Sequence, residues 1–503
     1  MITDNSFLNG LKETTNYTET LNGGIAHKST LDAVYDMFAL GGAYRQRSDA
    51  DCITLFSKAL EEDEVLALKC LFYLRDCRGG QGERRFFRVC YRWLCNTYPE
   101  IAKRNLKMVS EYGRWDDLIY LAEGTELEDY AFTIIKEQFK LDLTCKTPSL
   151  LGKWMPSENA SAHETKRVGN RLRKFLGLTH QEYRKALSTL RKRINIVERL
   201  MSENRWEEIE FDKLPSKAGL IYKNAFARRD ILAKKYETFI KDKSTKVNAS
   251  TLYPYDVVSK ALAHFYDDDL ENVDRIAIEK YWNNLPDYFD GKQSNILCVC
   301  DTSGSMTCGN GPATPMNVAI ALSMYCAERA GGPFKNHYIS FSSKPQLIDI
   351  VGADFCDKVQ RIYETNLCEN TNINAVFDLL KEIALKPTTN VNDLPDTIAI
   401  ISDMEIDCGT GSYWDDDNKE WTKENAATEM ELIRQDWEKV GLKLPKLVYW
   451  NVDAKTDVIL DSGDYVSFVS GANPVIFEQV VKGITGHELM MDKLGSDRYK
   501  NIK

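Results

Sequence analysis

The sequence predicts a multidomain chain: an array of amphipathic helices, then an α/β domain on a doubly wound, mostly parallel sheet. Three observations carry this. At 503 residues the chain is longer than one ordinary hydrophobic core organises. Before the polar Pro/Gly connection "NNLPDYFDGKQSN" (283–295) the apolar residues recur at helical spacing. Beyond it they fall in short β-branched and aromatic runs that alternate with helices.

In the first part, Phe86, Val89, Cys90, Trp93 and Leu94 fall at i, i+3, i+4, i+7 and i+8. Tyr183, Leu187, Leu190, Ile194, Val197 and Met201 trace a second stripe. The acidic string "EEDE" (61–64) favours a helix N-terminus just before "VLALKCLFYLRD". "RGGQG" (78–82) then separates that helix from the next. "GRWDDL" (113–118) is echoed by "NRWEEI" (204–209), as paired helices in a stacked array would produce. Trp115 and Trp206 in these strings are read as packing anchors before base-stacking platforms.

In the second part, "ILCVC" (296–300), "HYISF" (337–341), "TIAIIS" (397–402), "KLVYWNV" (446–452) and "YVSFVS" (465–470) have the length and content of strands. "TPMNVAIALSMYCAERAGG" reads as a helix, with Thr314 as its cap, Pro315 in its first turn and glycines at its end. The predicted units are a polar N-terminal segment (1–24), a helical repeat domain (25–290), an α/β domain (291–485) and a C-terminal tail (486–503).

Composition is that of a soluble globular protein, 43% hydrophobic and 28% charged, with no apolar run near the ~18 residues of a membrane span. The first residues lack a basic region followed by an apolar one, so no secretory signal is read, and a cytoplasmic location with no membrane partner is expected. Thirteen scattered cysteines with no CxxC pair predict reduced, mostly buried thiols. The net charge of -10 is unevenly divided: residues 291–503 carry 20 Lys+Arg against 31 Asp+Glu, while residues 151–250 carry 23 against 12. The basic stretch marks either an anionic partner or solvated helix faces.

The candidate site is "CVCDTSGSMTC" (298–308), where an apolar strand runs into Asp301, Ser303 and Ser305. Ligands of a parallel sheet gather at the carboxyl ends of its strands, and alternation along an extended loop points these three side chains the same way. "CENTNINAVF" adds Thr371 just before a helix, and "IISDMEID" adds Asp403 directly after a central strand. Carboxylates and hydroxyls are hard donors that suit Mg²⁺ or Mn²⁺ better than zinc. D-x-S-x-S with a later Thr and a later Asp resembles the metal-ion-dependent adhesion site of von Willebrand factor A domains, whose fold is Rossmann-like. That resemblance implies Asp301, Ser303, Ser305, Thr371 and Asp403 as metal ligands, in part through water. It also implies a protein partner whose acidic group completes the coordination.

The first part resembles a second family. "LKCLFYLRDCRGGQGERRFF", "YGRWDDL", "GKWMPS" and "LRKRINIVERLMSENRWEEIEFDKLPSKAGLIYKNAF" are similar to the TROVE-like proteins, relatives of the Ro autoantigen. The order of helical part and A domain is also theirs. The resemblance implies a ring of HEAT-like repeats closed by the A domain, and a non-catalytic ribonucleoprotein scaffold that binds structured, misfolded or small noncoding RNA. The RNA-binding candidates are Arg84, Arg85 and Arg88 on one helix, Arg184, Lys185, Arg191, Lys192 and Arg193 on another, with Lys166, Arg167, Arg171, Arg173, Lys174, Lys217, Lys223, Arg228 and Arg229. Taken alone these residues make either a phosphate track or separate solvated faces with acidic partners. A protein–protein adaptor with no RNA role is the alternative function.

Enzymatic readings find less support. There is no GxxxxGK[ST] loop, no G-x-S-x-G around Ser303 or Ser305, and no HExxH among the six histidines. Asp301 as a phosphoryl acceptor would call for a second aspartate two residues on, where Ser303 stands. "RGGQGER" is read as a turn in preference to a phosphate cradle, and the acidic loop "WDDDNKEW" as solvated in preference to a second cation site.

Overall fold

Among the described residues, every segment from Ala33 to Asn283 that forms regular structure is helical, and the parallel strands begin only at Ile296. The computed structural model describes residues 11–12, 15–194, 196–263, 272–309, 311–341, 344–365, 372–407, 412–415, 420–423, 428–461 and 465–503. Thr371 and the tip of the "WDDDNKEW" loop lie outside them.

Local chemistry sets the helix ends. Ser48 and Asp51 form a reciprocal cap on the helix Asp49–Glu62. The "EEDE" string divides between two helices: Glu61 and Glu62 close the first, and the Asp63 carboxylate accepts from the Leu66 amide at 2.8 Å to open Glu64–Arg75. The helix Arg84–Thr97 buries Phe86, Phe87, Cys90, Tyr91, Leu94 and Cys95. Val89 and Trp93 sit at the margin of that face. The second predicted stripe is shared by two helices, His180–Ile194 and Val197–Ser202, because Ile196 adopts an extended backbone between them.

"RGGQG" is a packed turn. The amides of Gly80, Gln81 and Glu83 donate to the carbonyls of Asp76, Tyr73 and Leu74 at 3.2, 3.1 and 2.6 Å. A Cβ on Gly80 would lie 1.9 Å from the Tyr73 carbonyl oxygen, so the turn closes only around glycine. Those three amides are spent within the turn.

A hairpin, β1 (Tyr17–Glu19) and β2 (Ile25–His27), spans the boundary expected near residue 24. The main sheet comprises β3 (Ile296–Asp301), β4 (His337–Phe341), β5 (Gln346–Asp349), β6 (Thr397–Ser402), and, after the small hairpin β7 (Ser412–Asp415) and β8 (Glu420–Lys423), β9 (Lys446–Asn451) and β10 (Val466–Ser470). Its order is β10-β9-β6-β3-β4-β5, parallel throughout except for β5, which runs antiparallel to β4. Every residue of β3 and β6 is buried, which explains their uninterrupted apolar character. Helices Pro315–Arg329, Phe355–Thr365, Ile373–Ala384 and Glu429–Lys439 lie between successive strands. The strand order reverses between β3 and β6, and the carboxyl ends of these two strands form the switch point of the sheet.

The helical region meets the α/β domain at both of its ends. At one end, helix Ala33–Leu40 covers the edge strand β10: the Phe468 amide donates to Tyr35 Oη at 2.8 Å, and the Gly42 amide to Ser470 Oγ at 2.9 Å. At the other end, Trp282 stacks on Phe355 with ring centres 4.4 Å apart, and Arg275 grips Asp354 through two bonds of 2.6 Å. The 283–295 connection is itself anchored, with Phe289 fully buried against Tyr325 and Phe477. The C-terminal residues return to the helices, where Arg498 and Tyr499 bond to Asp76, and Lys503 to Asn105.

Candidate functional site

Strand β3 delivers Asp301 fully buried to the switch point, and the turn that follows brings Ser303 and Ser305 beside it. Strand β6 delivers Asp403 from the neighbouring side, with only 1% of its surface exposed. Ser305 Oγ donates to Asp403 Oδ2 at 2.8 Å, and Ser303 Oγ lies 3.0 Å from Ser305 Oγ. Asp301 accepts from the Ser303 amide at 2.9 Å and from Ser402 Oγ at 2.5 Å. Four of the five expected ligand residues therefore converge, while Thr371 lies outside the described residues.

Electrostatics at this point are unfavourable to negative charge. Burial first, and the neighbouring Asp403 second, push the Asp301 carboxyl above its ordinary value. Burial pushes Asp453, on the loop after β9, up to about 6 against the opposing pull of Lys455. Burial likewise raises Glu405. Two buried carboxylates with adjacent hydroxyls form an all-oxygen donor set that fits a hard divalent cation such as Mg²⁺. Among the described residues no three His, Cys, Asp or Glu side chains converge as a metal-holding group, so hydroxyls and water would have to complete the sphere.

Two neighbours of this site were not legible as part of it. Lys455 places its ammonium 2.7 Å from Asp403 Oδ2 and 3.1 Å from the Ser305 carbonyl. Glu405, two residues after Asp403, accepts from Thr456 Oγ1 at 2.5 Å and from the Leu21 amide at 2.6 Å. Thr20 Oγ1 and Asn22 Nδ2 donate to the Ile406 and Glu405 carbonyls at 2.7 Å each, so the N-terminal hairpin is strapped to the rim of the site. A lone lysine and a polar N-terminal string carry no spacing signal that would reveal either contact.

The expected basic residues meet different surroundings. Lys223 is buried against Asp274 at 2.7 Å, which removes it from any surface track. Arg85 pairs with Asp49, Arg88 with Asp116 and Asp117, Arg167 with Glu123 and Glu164, Arg171 with Glu128, and Arg173 with Glu158. Arg191 and Arg193 are structural anchors that donate to the carbonyls of Gly152, Met155 and Asp142. Arg229 lies over Trp206, which is itself buried as expected. Lys166, Lys174, Arg184, Lys185, Lys192 and Arg228 are exposed on the outer helices.

Arg84 and Lys217 line instead an open cleft of about 1310 Å³ in the helical region, built from residues between 75 and 253. Its wall carries seven basic side chains, Arg75, Arg78, Arg84, Lys107, Arg114, Lys153 and Lys217, against the acids Glu111, Glu137 and Glu198. Trp115, Trp154, Tyr222 and Tyr253 are interleaved with them, and Arg114 stacks 3.9 Å from the Trp154 ring centre. Burial first, then the like charges of Arg114 and Arg88, hold the Arg84 guanidinium below its ordinary value against the opposing pull of Asp117 and Asp116. Trp115, expected as a core anchor, is half-buried and faces this space.

Comparison with known proteins gives two matching family models. Residues 20–138 and 155–290 match a domain of unknown function, DUF2828, and residues 295–490 match a second, DUF7788. The boundary between them falls where the fold changes from helices to sheet. An uncharacterized protein, L728, of Acanthamoeba polyphaga mimivirus is 28% identical over 483 residues, covering 87% of this chain and 79% of the relative.

Proposed function

The chain belongs to the DUF2828 family, whose description assigns no activity, and from its own geometry we propose a non-catalytic, cytoplasmic RNA-binding scaffold of the Ro type. The helices and the α/β domain form a closed ring in this reading, and the cleft within the helices holds a single strand or loose end of a structured RNA. What supports it most is the lining of that cleft, which sets seven basic side chains, four of them paired with acids of the chain, beside Trp and Tyr rings. Cations along a groove neutralise phosphates, while aromatic faces stack bases regardless of sequence. An anion entering there would relieve the mutual repulsion felt by Arg84.

In the same reading the A-type domain is a docking module. Asp301, Ser303, Ser305 and Asp403 would hold Mg²⁺, with Thr371 as the fifth expected ligand. The ion would supply a positive centre for an acidic side chain of a partner protein. The chain's own residues position the donors and keep the carboxylates out of bulk water, with Lys455 against Asp403.

The adaptor alternative draws on one observation: most outer arginines are engaged by acids of the chain itself. The two readings separate on nucleic acid. RNA retained through purification, with single-stranded RNA binding that weakens steeply as salt rises, is the outcome expected of the scaffold. Absence of both would leave the adaptor.

A further inference from the structure

We propose that Lys455 is a built-in counter-ion of the Asp301–Asp403 site, which takes the place of the divalent cation when the metal is absent and must withdraw for it to bind. This rests on the reading of that site as a divalent-cation site. Asp403 is buried to 1% exposure, and the Lys455 ammonium touches its Oδ2, the oxygen that also accepts from Ser305 Oγ and would face a cation, while bonding to the Ser305 carbonyl beside it. An ammonium and a divalent ion at contact distance from one carboxylate oxygen repel each other, so the lysine opposes the metal for as long as it stays.

The geometry also shows which part moves. The Lys455 backbone is held by Arg47, whose guanidinium donates to its carbonyl at 2.6 Å. Its neighbours are held as well: the Ala454 amide donates to the Ala43 carbonyl at 3.1 Å, and Thr456 is bound to Glu405. The loop is fixed, so the flexible four-carbon side chain is what swings. Its side chain is 23% exposed and has water to swing into. The site thus alternates between a lysine-closed and a metal-open state, and because Ala43 and Arg47 belong to the helical region, the loop that carries the switch is seated on both parts of the molecule.

Mn²⁺ titration of the full chain by calorimetry, comparing the unaltered protein with Lys455→Met, Lys455→Gln and Asp301→Ala, tests this. Both lysine variants are expected to bind Mn²⁺ at least tenfold more tightly than the unaltered protein, and Asp301→Ala to bind none. Equal or weaker binding in the lysine variants, with Mn²⁺ still bound by the unaltered protein, overturns the counter-ion and leaves the metal reading standing. No binding by the unaltered protein or the lysine variants overturns both. A second readout needs no variant: acylation of the Lys455 amine, followed by peptide mass spectrometry, should rise severalfold when Mn²⁺ is added. An unchanged rate at saturating Mn²⁺ overturns the proposal.

Discussion

Asp117 in the helical region and Asp301 in the α/β domain are equally buried, yet they are met differently. Asp117 receives Arg75 at 2.6 Å, Arg88 at 2.6 Å and the Arg114 amide at 3.0 Å. Asp301 is met by a hydroxyl and an amide, and its nearest charged influence is another carboxylate. The first arrangement is a framework: the charges compensate one another and hold three helical segments around the cleft. The second leaves negative charge in a dry place without a guanidinium, which is the condition under which a cation from outside becomes part of the structure.

The sharpest break of this comparison is Asp301→Ala. It is expected to abolish Mn²⁺ binding while the helical circular dichroism stays unchanged; retained binding would remove the site from Asp301. Next in size, Asp117→Ala strands the buried Arg75 guanidinium and leaves Arg88 with Asp116 alone, and should cost about 3–5 kcal/mol in denaturant unfolding, with metal binding preserved. A loss below about 1 kcal/mol would mean the cleft wall does not depend on that pair.

Reversing charge inside the cleft, Lys107→Glu with Lys153→Glu, should weaken single-stranded RNA about tenfold and flatten the salt dependence by about one unit of slope per lost phosphate contact. Outside the cleft, Lys174→Glu and Lys192→Glu should change RNA affinity less than twofold. Equal effects inside and outside would shift the binding surface to the outer helices.

The last prediction concerns pH. The raised Asp301 and Asp453 carboxyls favour the protonated form in the folded chain, so this part of the protein loses stability as pH rises from the unfolded carboxylate range near 4 through about 6. A divalent ion removes that penalty where the carboxylates are ionised. Mg²⁺ should therefore raise the unfolding temperature at pH 7.5 and do so much less at pH 5.5, where protons compete. A shift of equal size at both values would uncouple the metal from these groups.

Strands β3, β4, β6, β9 and β10 were visible as apolar runs because burial on both faces leaves no polar alternation to obscure them. The edge strand β5 was not, since three of its four residues are exposed and "QLID" has no strand signature. The hairpin β1–β2 owes its place to Glu405, Ile406 and Ile459, almost the whole chain away. Asp301, Ser303, Ser305 and Asp403 were legible because two strand ends carry them. Lys455 was not, because its partner is 52 residues distant and one lysine after a strand has no periodicity. The arginines show the same gap between charge and use. The sequence displays the cation, but Arg171 finds Glu128 43 residues back and Arg88 finds Asp117 29 residues on, and only the packing of helices decides those pairs. The cleft was hidden for the same reason: Arg84, Lys107, Lys153 and Lys217 come from separate segments and line one space only when the helices pack.

The claim that joins these features is that the helical cleft holds RNA, and ultraviolet cross-linking of a single-stranded RNA to the full chain, mapped by peptide mass spectrometry, tests it most directly. The account predicts cross-links at Trp115, Trp154, Tyr222 or Tyr253, lost when Lys107 and Lys153 are reversed. Cross-links confined to the exposed helices around Lys174 and Lys192, or none at all, would contradict it.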